Sequence, residues 1–188
     1  MKLKNIALIS SGINERRNPQ GTIYYLGASD FIGANKLNRL IEPSIMPSPK
    51  LERHFLMKND VVVLVKGHNG FVAHTIIDDS KLMVASSIFM VLRNPISSVY
   101  PKYIAWYINL ESTQKELRGY SRGTALPSIN RTILGDLDIK IPSLNIQKSI
   151  VVINELKKQE SRLTTQLDKL KTIKLELLLK NKINSYEQ

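Results

Sequence analysis

Short apolar runs separated by turn residues fill the first three quarters of the chain. The run Val61 to Val65 is β-branched and five residues long, which favours a buried strand. The turn-forming sequence Gly67-His68-Asn69-Gly70 follows it, and Phe71 to Ile77 is a second strand-like run. Because an Asn-Gly pair between two such runs is typical of a tight turn, we expect a β-hairpin here.

Other segments of this region carry weaker patterns of the same kind. Pro101 suits a first helical turn, and apolar residues at helical spacing continue to Leu117, with Gly119 as a stop signal. Further strands are predicted at Lys4 to Ile9, Ile23 to Leu26, Met83 to Leu92 and Leu137 to Ile141. The region is therefore expected to mix helices and strands, with long connections that suit binding residues.

The pattern changes near Pro142. From Leu144 to about Ile183 there is no glycine or proline, and alternating steps of three and four residues trace a mostly apolar stripe. The stripe consists of Ile153, Leu156, Glu160, Leu163, Leu167, Leu170, Lys174 and Leu177. A helix of this length is roughly 57 Å long, so it either projects to meet a partner as a coiled coil or folds back onto the body.

The expected fold class is therefore α+β, a mixed α/β body followed by a long C-terminal coiled-coil helix. We place the domain boundary at Pro142, giving a body of residues 1–142 and a helix of residues 143–188.

The charge balance indicates which kinds of partner the chain can bind. Lys and Arg number 27 against 16 acidic residues, a formal net charge of +11, and residues 1–145 hold 18 basic against 11 acidic residues. Such a surplus attracts polyanions such as nucleic acid, although an acidic protein partner or an incidental basic surface would also fit. The absence of cysteine and of a long apolar run leads us to expect a cytoplasmic protein without a membrane segment.

Sequence patterns of catalysis are sparse. There is no phosphate-binding loop, dinucleotide fingerprint or zinc-protease motif, and the three histidines lack ligand spacing, so no metal site is expected. The triplets Asp79-Ser80-Lys81, Asp138-Ile139-Lys140 and Glu155-Leu156-Lys157 resemble those of Mg²⁺-dependent nucleases, at a frequency close to chance. No catalytic residue is therefore assigned.

Three basic stretches are candidates for nucleic-acid contact. The first is the glycine-flanked loop Arg118 to Thr124, in which Arg118, Tyr120, Arg122 and Thr124 can bind bases or phosphates. The second is the hairpin tip, with Lys66, His68 and Asn69, and the third is Arg16 and Arg17. Each of these side chains could instead be an ordinary solvated surface group.

Several weak motifs occur together in a specific order. The opening Lys2 to Ala7 is followed by Ile23 to Leu26, and Asn59 to Val63 with Lys66 to Gly70 resembles a Gly-Asp-strand-Gly-x-x-Gly hairpin. Tyr100 to Ile104, Gly123 to Ile129 and Ile141 to Gln147 follow. In this order they resemble a target-recognition domain of the type I restriction-modification specificity subunits, over residues 2 to about 180.

The chain also departs from that family's pattern. The family usually has two recognition domains and two long helices, whereas this chain has one of each and resembles a half-subunit. Asn59 replaces the usual Gly before Asp60, which puts the turn type in question. Ile146 replaces the usual Glu before Gln147, so Ser143 could cap the helix without the second half of a capping box.

The resemblance implies a division of labour. The chain would read double-stranded DNA and bind no cofactor itself, modification subunits would methylate adenine with S-adenosylmethionine, and a restriction subunit would cut. It also implies a homodimer through the long helix, with Ile153, Leu156, Leu163, Leu167, Leu170 and Leu177 at the contact. The alternatives are a helical scaffold protein with an incidental basic surface and a Mg²⁺-dependent nuclease.

Overall fold

The computed structural model describes most of the chain in two compact units, Met1–Lys148 and Ser149–Gln188, which we treat separately. The domain boundary expected from sequence, at Pro142, remains a prediction. The described residues are 1–32, 36–37, 41–68, 70–93, 95–121 and 125–184, with 31, 32, 36 and 37 described for the backbone alone.

The first unit contains nine strands and three helices within the described ranges, and a fourth helix begins in it. The strands are β1 (Leu8–Ser11), β2 (Ile23–Leu26), β3 (Phe31–Ile32), β4 (Lys36–Leu37), β5 (Pro43–Ile45), β6 (Val61–Leu64), β7 (Ala73–Thr75), β8 (Met83–Ala85) and β9 (Phe89–Arg93). The helices are α1 (Pro101–Ile108), α2 (Glu111–Gly119), α3 (Arg131–Gly135) and α4 (Leu144–Asn184). This confirms the expected mixed α/β architecture with a long C-terminal helix.

Two sheets enclose the core. The first is antiparallel in the order β1-β9-β6-β7, and every residue of β6 is buried, as the β-branched run predicts. The second sheet, β5-β2-β8, is mixed, because β2 is antiparallel to β5 and parallel to β8. Leu26, Val62 and Phe89 belong to one buried apolar cluster that includes residues of both sheets.

The predicted hairpin is confirmed, although its second strand is shorter than the predicted run from Phe71 to Ile77. β6 and β7 pair antiparallel, with Val62 opposite His74. The connection runs from Val65 to Val72, and we call it the β6–β7 loop (residues 65–72). Asn69 lies outside the described residues.

The free edge of β7 is covered by two side-chain amides. Asn109 accepts from the N–H of Ala73 at 2.9 Å and donates to its carbonyl at 2.7 Å. Gln114 does the same for Phe71, at 3.0 and 2.9 Å. These amides take the place of another strand and satisfy backbone groups that an edge otherwise leaves unpaired.

Two of the predicted elements are each divided in the structure. Met83 to Leu92 forms β8 and β9, because a turn in which Phe89 N–H donates to the Ser86 carbonyl sends the two halves to different sheets. The predicted helix from Pro101 to Leu117 is broken at Leu110, whose backbone is extended. The Asn109 bonds to Ala73 hold this break in place.

Two predicted strands were wrong in extent. Of Lys4 to Ile9 only the last two residues join β1, since Leu3–Asn5 forms a 3-10 turn. Leu137 to Ile141 is not a strand but a bridging segment. It holds the N-terminus through Leu3 N–H to the Leu137 carbonyl and Ile139 N–H to the Met1 carbonyl.

The first turn of α4 is fixed by a buried glutamine. Gln147 accepts from the N–H of Tyr100 at 2.8 Å and donates to the carbonyls of Ser98 and Pro142, both at 2.8 Å. Its side chain thereby joins the start of α4 to the start of α1, and all of these residues lie within the first unit.

Candidate nucleic-acid interface

The β6–β7 loop presents two of the predicted contact residues. Lys66 and His68 are both exposed, and Gly67 between them has φ 137°, a backbone conformation that glycine adopts without steric cost. Asn69, the third predicted residue of this loop, falls outside the described residues. The described part of the loop therefore offers one ammonium and one imidazole to solvent.

A second chain segment pairs with this loop. The N–H of Gly67 donates to the Pro127 carbonyl at 3.0 Å, and the N–H of Ile129 donates to the Val65 carbonyl at 3.0 Å. Lys66 and Ser128 form an antiparallel bridge. The segment that follows the predicted contact loop Arg118 to Thr124 is thereby held against the β6–β7 loop.

The C-terminal end of α2 lies beside the same loop. Nη1 of Arg118 is 4.0 Å from the position that a Cβ on Gly70 would occupy, and Gly70 has φ 80°. Arg118 also forms an ion pair with Glu111, and Tyr120 next to it is exposed. Arg122 and Thr124 are outside the described residues. We call the β6–β7 loop together with Arg118 to Tyr120 the loop–helix surface.

The third predicted pair occupies a different place, beside the second sheet. Arg17 donates to Ser44 Oγ at 3.0 Å and to the Tyr25 carbonyl at 3.3 Å, and its guanidinium lies 5.4 Å from the centre of the Tyr25 ring. Arg17 thus stabilises the fold around β2. Arg16 is exposed and lines a shallow cavity with Met46.

The loop–helix surface has the chemistry of a nucleic-acid contact. Its cations, Lys66 and Arg118, can pair with phosphates, and the planar Arg fork also fits the O6 and N7 acceptors of guanine. A loop at a strand end is narrow enough to enter a major groove. Glu111, which the sequence analysis did not single out, adds a carboxylate beside Arg118. The spacing of the two residues could have indicated this pair, because residues seven positions apart lie on the same face of a helix.

The charged residues of the acid-x-Lys triplets have other partners. Asp79 accepts from the backbone N–H of Lys58 at 3.1 Å, and Lys81 lies 4.8 Å from the centre of the Tyr24 ring. Asp138 pairs with Lys2 at 2.8 Å, and this hydrogen bond lowers the pKa of Asp138. Lys157 pairs with Glu160 at 2.8 Å. In each triplet at least one charged group is engaged elsewhere.

The second unit is one continuous helical segment from Ser149 to Asn184, and its apolar stripe is exposed in the chain described here. Between 52% and 65% of each predicted contact residue is accessible to solvent. These residues are Ile153, Leu156, Leu163, Leu167, Leu170 and Leu177. None of the described helices is both long and apolar enough to cross a lipid bilayer. The stripe is thus an exposed apolar surface along this helix.

Three solved structures share the fold at low sequence identity. A chain of a type I R-M system, described for its complex assembly and conformational transition, is 19% identical with TM-score 0.63, covering 87% of this chain and 39% of that one. The HsdS subunit from Thermoanaerobacter tengcongensis is 17% identical with TM-score 0.60, and the match covers 87% of this chain and 38% of that one. The type I restriction-modification system S subunit from M. genitalium is 18% identical with TM-score 0.56, and the match covers 88% of this chain and 39% of that one.

The chain therefore spans less than two fifths of the length of these solved chains. No curated protein matches it in sequence. The family model for the type I restriction modification DNA specificity domain matches residues 1–177, which covers both sheets, the loop–helix surface and most of α4. On this match, the chain belongs to the family of type I restriction-modification DNA specificity domains.

Proposed function

We propose that this chain is the DNA-reading component of a type I restriction-modification system and recognises double-stranded DNA through its loop–helix surface. The observation that carries the proposal is that the β6–β7 loop, which exposes Lys66 and His68, passes beside Arg118 at Gly70. The same loop also pairs with residues 127–129, which follow the predicted contact loop. The family membership and the net charge of +11 support a polyanionic partner.

The chemistry belongs to other subunits in this proposal. Modification subunits hold S-adenosylmethionine and methylate adenine, a restriction subunit cleaves, and this chain contributes binding and no catalytic group. The sequence supports this assignment because it lacks the motifs of cofactor binding. The cytoplasm is the location that corresponds to this role.

Two copies are proposed to pair through α4 as a homodimer with two-fold symmetry. A helix with an exposed apolar stripe gains stability by burying it, and identical chains most often close by a two-fold axis. An antiparallel pair centred at residue 165 sets Leu163 opposite Leu167 of the partner copy. In that register, every position of the stripe faces another position of the stripe, and Glu160 lies about one helical turn from Lys174 of the partner copy.

The register is testable because the chain contains no cysteine. A mixture of Leu163→Cys and Leu167→Cys proteins should form a disulfide between the two different variants under mild oxidation. Each variant alone should cross-link poorly. Efficient cross-linking of Leu163→Cys to itself would instead indicate a parallel pair.

DNA reading is tested by selection from a duplex library with randomised positions, using the purified chain. We expect enrichment of one motif, and binding whose logarithm falls steeply with the logarithm of salt concentration because phosphate contacts release counterions. Recovery of no common motif over repeated rounds would overturn the proposal.

A further inference from the structure

Glu111 and Arg118 occupy the same face of α2. They are seven residues apart, about two helical turns, so their side chains leave the helix in nearly the same direction. The Arg118 side chain runs back along the helix until Nη2 meets Glu111 Oε1 in an ion pair. The end of the helix that carries Arg118 is itself fixed, because the Arg118 carbonyl accepts from Ser121 N–H at 3.2 Å and Ser121 Oγ at 3.1 Å.

The β6–β7 loop lies on a second side of the Arg118 guanidinium and restricts its movement. Gly70 lies beneath Nη1, and its positive φ together with its missing side chain lets the arginine pass close to the loop backbone. Gln114 holds this part of the loop in place by its two bonds to Phe71. Arg118 is therefore oriented by the Glu111 carboxylate and by the close approach of Gly70, while about half of its side chain stays accessible.

We propose that Glu111 is a positioning residue that makes Arg118 a reader of guanine rather than a general phosphate clamp, an inference that rests on the proposed function. A mobile arginine binds phosphate oxygens of any sequence, whereas an arginine held in one orientation loses less entropy when its fork meets guanine O6 and N7. The Glu111 carboxylate also repels phosphates that approach the same site. Both effects enlarge the difference between the correct and the incorrect sequence, which is what specificity measures.

The test compares Glu111→Gln with Glu116→Gln. Each variant removes one exposed negative charge from α2, but residue 116 lies five positions further along and faces another side of the helix. Binding is measured to the selected motif, to duplexes with each base pair of the motif replaced in turn, and to random duplex. Because the ion pair is exposed and contributes little to folding, thermal unfolding of both variants should match the wild type.

For Glu111→Gln, we expect discrimination at one G·C pair of the motif to fall about tenfold, the effect of losing one bidentate base contact. Binding to random duplex should rise, since a repulsive charge is gone. Glu116→Gln should leave every discrimination ratio unchanged. Arg118→Lys, which keeps the charge and loses the fork, should lose discrimination at the same base pair.

Unchanged discrimination in Glu111→Gln, or the same loss in Glu116→Gln, would overturn the role of Glu111. Unchanged discrimination in Arg118→Ala would also overturn it while leaving DNA reading to other residues. A wild-type protein that selects no motif would instead remove the proposed function on which this inference rests.

Discussion

Asn59, just before β6, adopts a left-handed backbone conformation with φ 73°. The family usually has glycine here, and asparagine is the side chain that tolerates this region best after glycine. The turn matters because Asp60, which follows, is buried, accepts from Met57 N–H at 2.8 Å, and pairs with Arg93 through two nitrogens. The side chain of residue 59 therefore determines how much strain is needed to form this buried ion pair.

We predict that Asn59→Ala lowers the free energy of unfolding by about 1 kcal/mol, because alanine pays the full cost of a left-handed backbone. Asn59→Gly should be as stable as the wild type or slightly more so. Urea unfolding followed by circular dichroism measures both, with Lys58→Ala at the exposed neighbouring position as the control. An Asn59→Ala protein as stable as the wild type would contradict the strained turn.

Two exposed ion pairs tie the N-terminus to the segment after α3. Lys4 Nζ lies 2.7 Å from Asp136 Oδ1 and Lys2 Nζ lies 2.8 Å from Asp138 Oδ2, and these hydrogen bonds lower the pKa of both aspartates. A lowered folded pKa contributes stability that is fully present above the ordinary value of 3.8 and is lost as the pH falls through the lower folded value.

The melting temperature of Asp136→Asn/Asp138→Asn should therefore lie slightly below that of the wild type at pH 6, and the difference should shrink as the pH falls below 3.8. The effect is small because both pairs are exposed to solvent and salt. Scanning calorimetry across this pH range tests it, and Lys2→Gln/Lys4→Gln should show the same convergence. A difference that stays constant as the pH falls below 3.8 would indicate a cause other than the two ion pairs.

At the scale of elements, the side-chain amides on the edge of β7 join helices to sheet. Gln114 is buried and also donates to the Ile108 carbonyl at 2.8 Å. We predict that Gln114→Leu lowers the free energy of unfolding by about 2–4 kcal/mol, because the N–H and carbonyl of Phe71 would stay buried without partners. Amide hydrogen exchange at Phe71 should speed up strongly. Lys115→Ala, at the exposed next position, is the control, and a fully stable Gln114→Leu protein would show that water replaces the lost bonds.

Local pattern predicted the elements whose structure is determined locally. β6 follows from its β-branched run and α4 from a periodic stretch without glycine or proline. The turn at Ser86 carries neither glycine nor proline, and it forms because β8 pairs with β2 while β9 pairs with β1 and β6. The break before Leu110 likewise depends on Asn109 bonding to Ala73, 36 positions earlier. Such distant pairings leave no local signal.

The same limit applies to the candidate site. Lys66 and Arg118 could each be proposed from their residue type and their position beside glycines. The packing of the β6–β7 loop beside Arg118 and residues 127–129 could not, since it depends on the pairing of Val65 with Ile129 and on the conformation of Gly70. The sequence also gives no sign that Arg16 and Arg17 have different environments. Only the packing around Tyr25 shows that Arg17 is engaged within the fold.

At the scale of the whole molecule, the proposed dimer determines the form of the DNA target. Two recognition domains related by a two-fold axis must read inverted half-sites with a fixed gap. We therefore expect an interrupted palindrome whose half-site centres lie on the order of one helical turn of DNA apart, about 34 Å. Methylation-sensitive sequencing of cells with and without this gene would reveal the motif, and a target without inverted symmetry would contradict the arrangement.

Leu163→Glu/Leu170→Glu is the variant that separates dimerisation from reading. Both side chains are exposed on α4 in the single chain, so the change should leave the recognition domain folded. In the pair, however, it introduces four carboxylates into the apolar contact and should yield monomers. A monomer holds one half-site, so its affinity for the full target should fall by orders of magnitude while its affinity for an isolated half-site is unchanged.

Glu replacements at Thr165 and Thr172, which are exposed on another face of the helix, provide the charge-matched control. Sedimentation at micromolar concentration reports the oligomeric state, and a wild-type protein that sediments as a monomer would rule out the dimer.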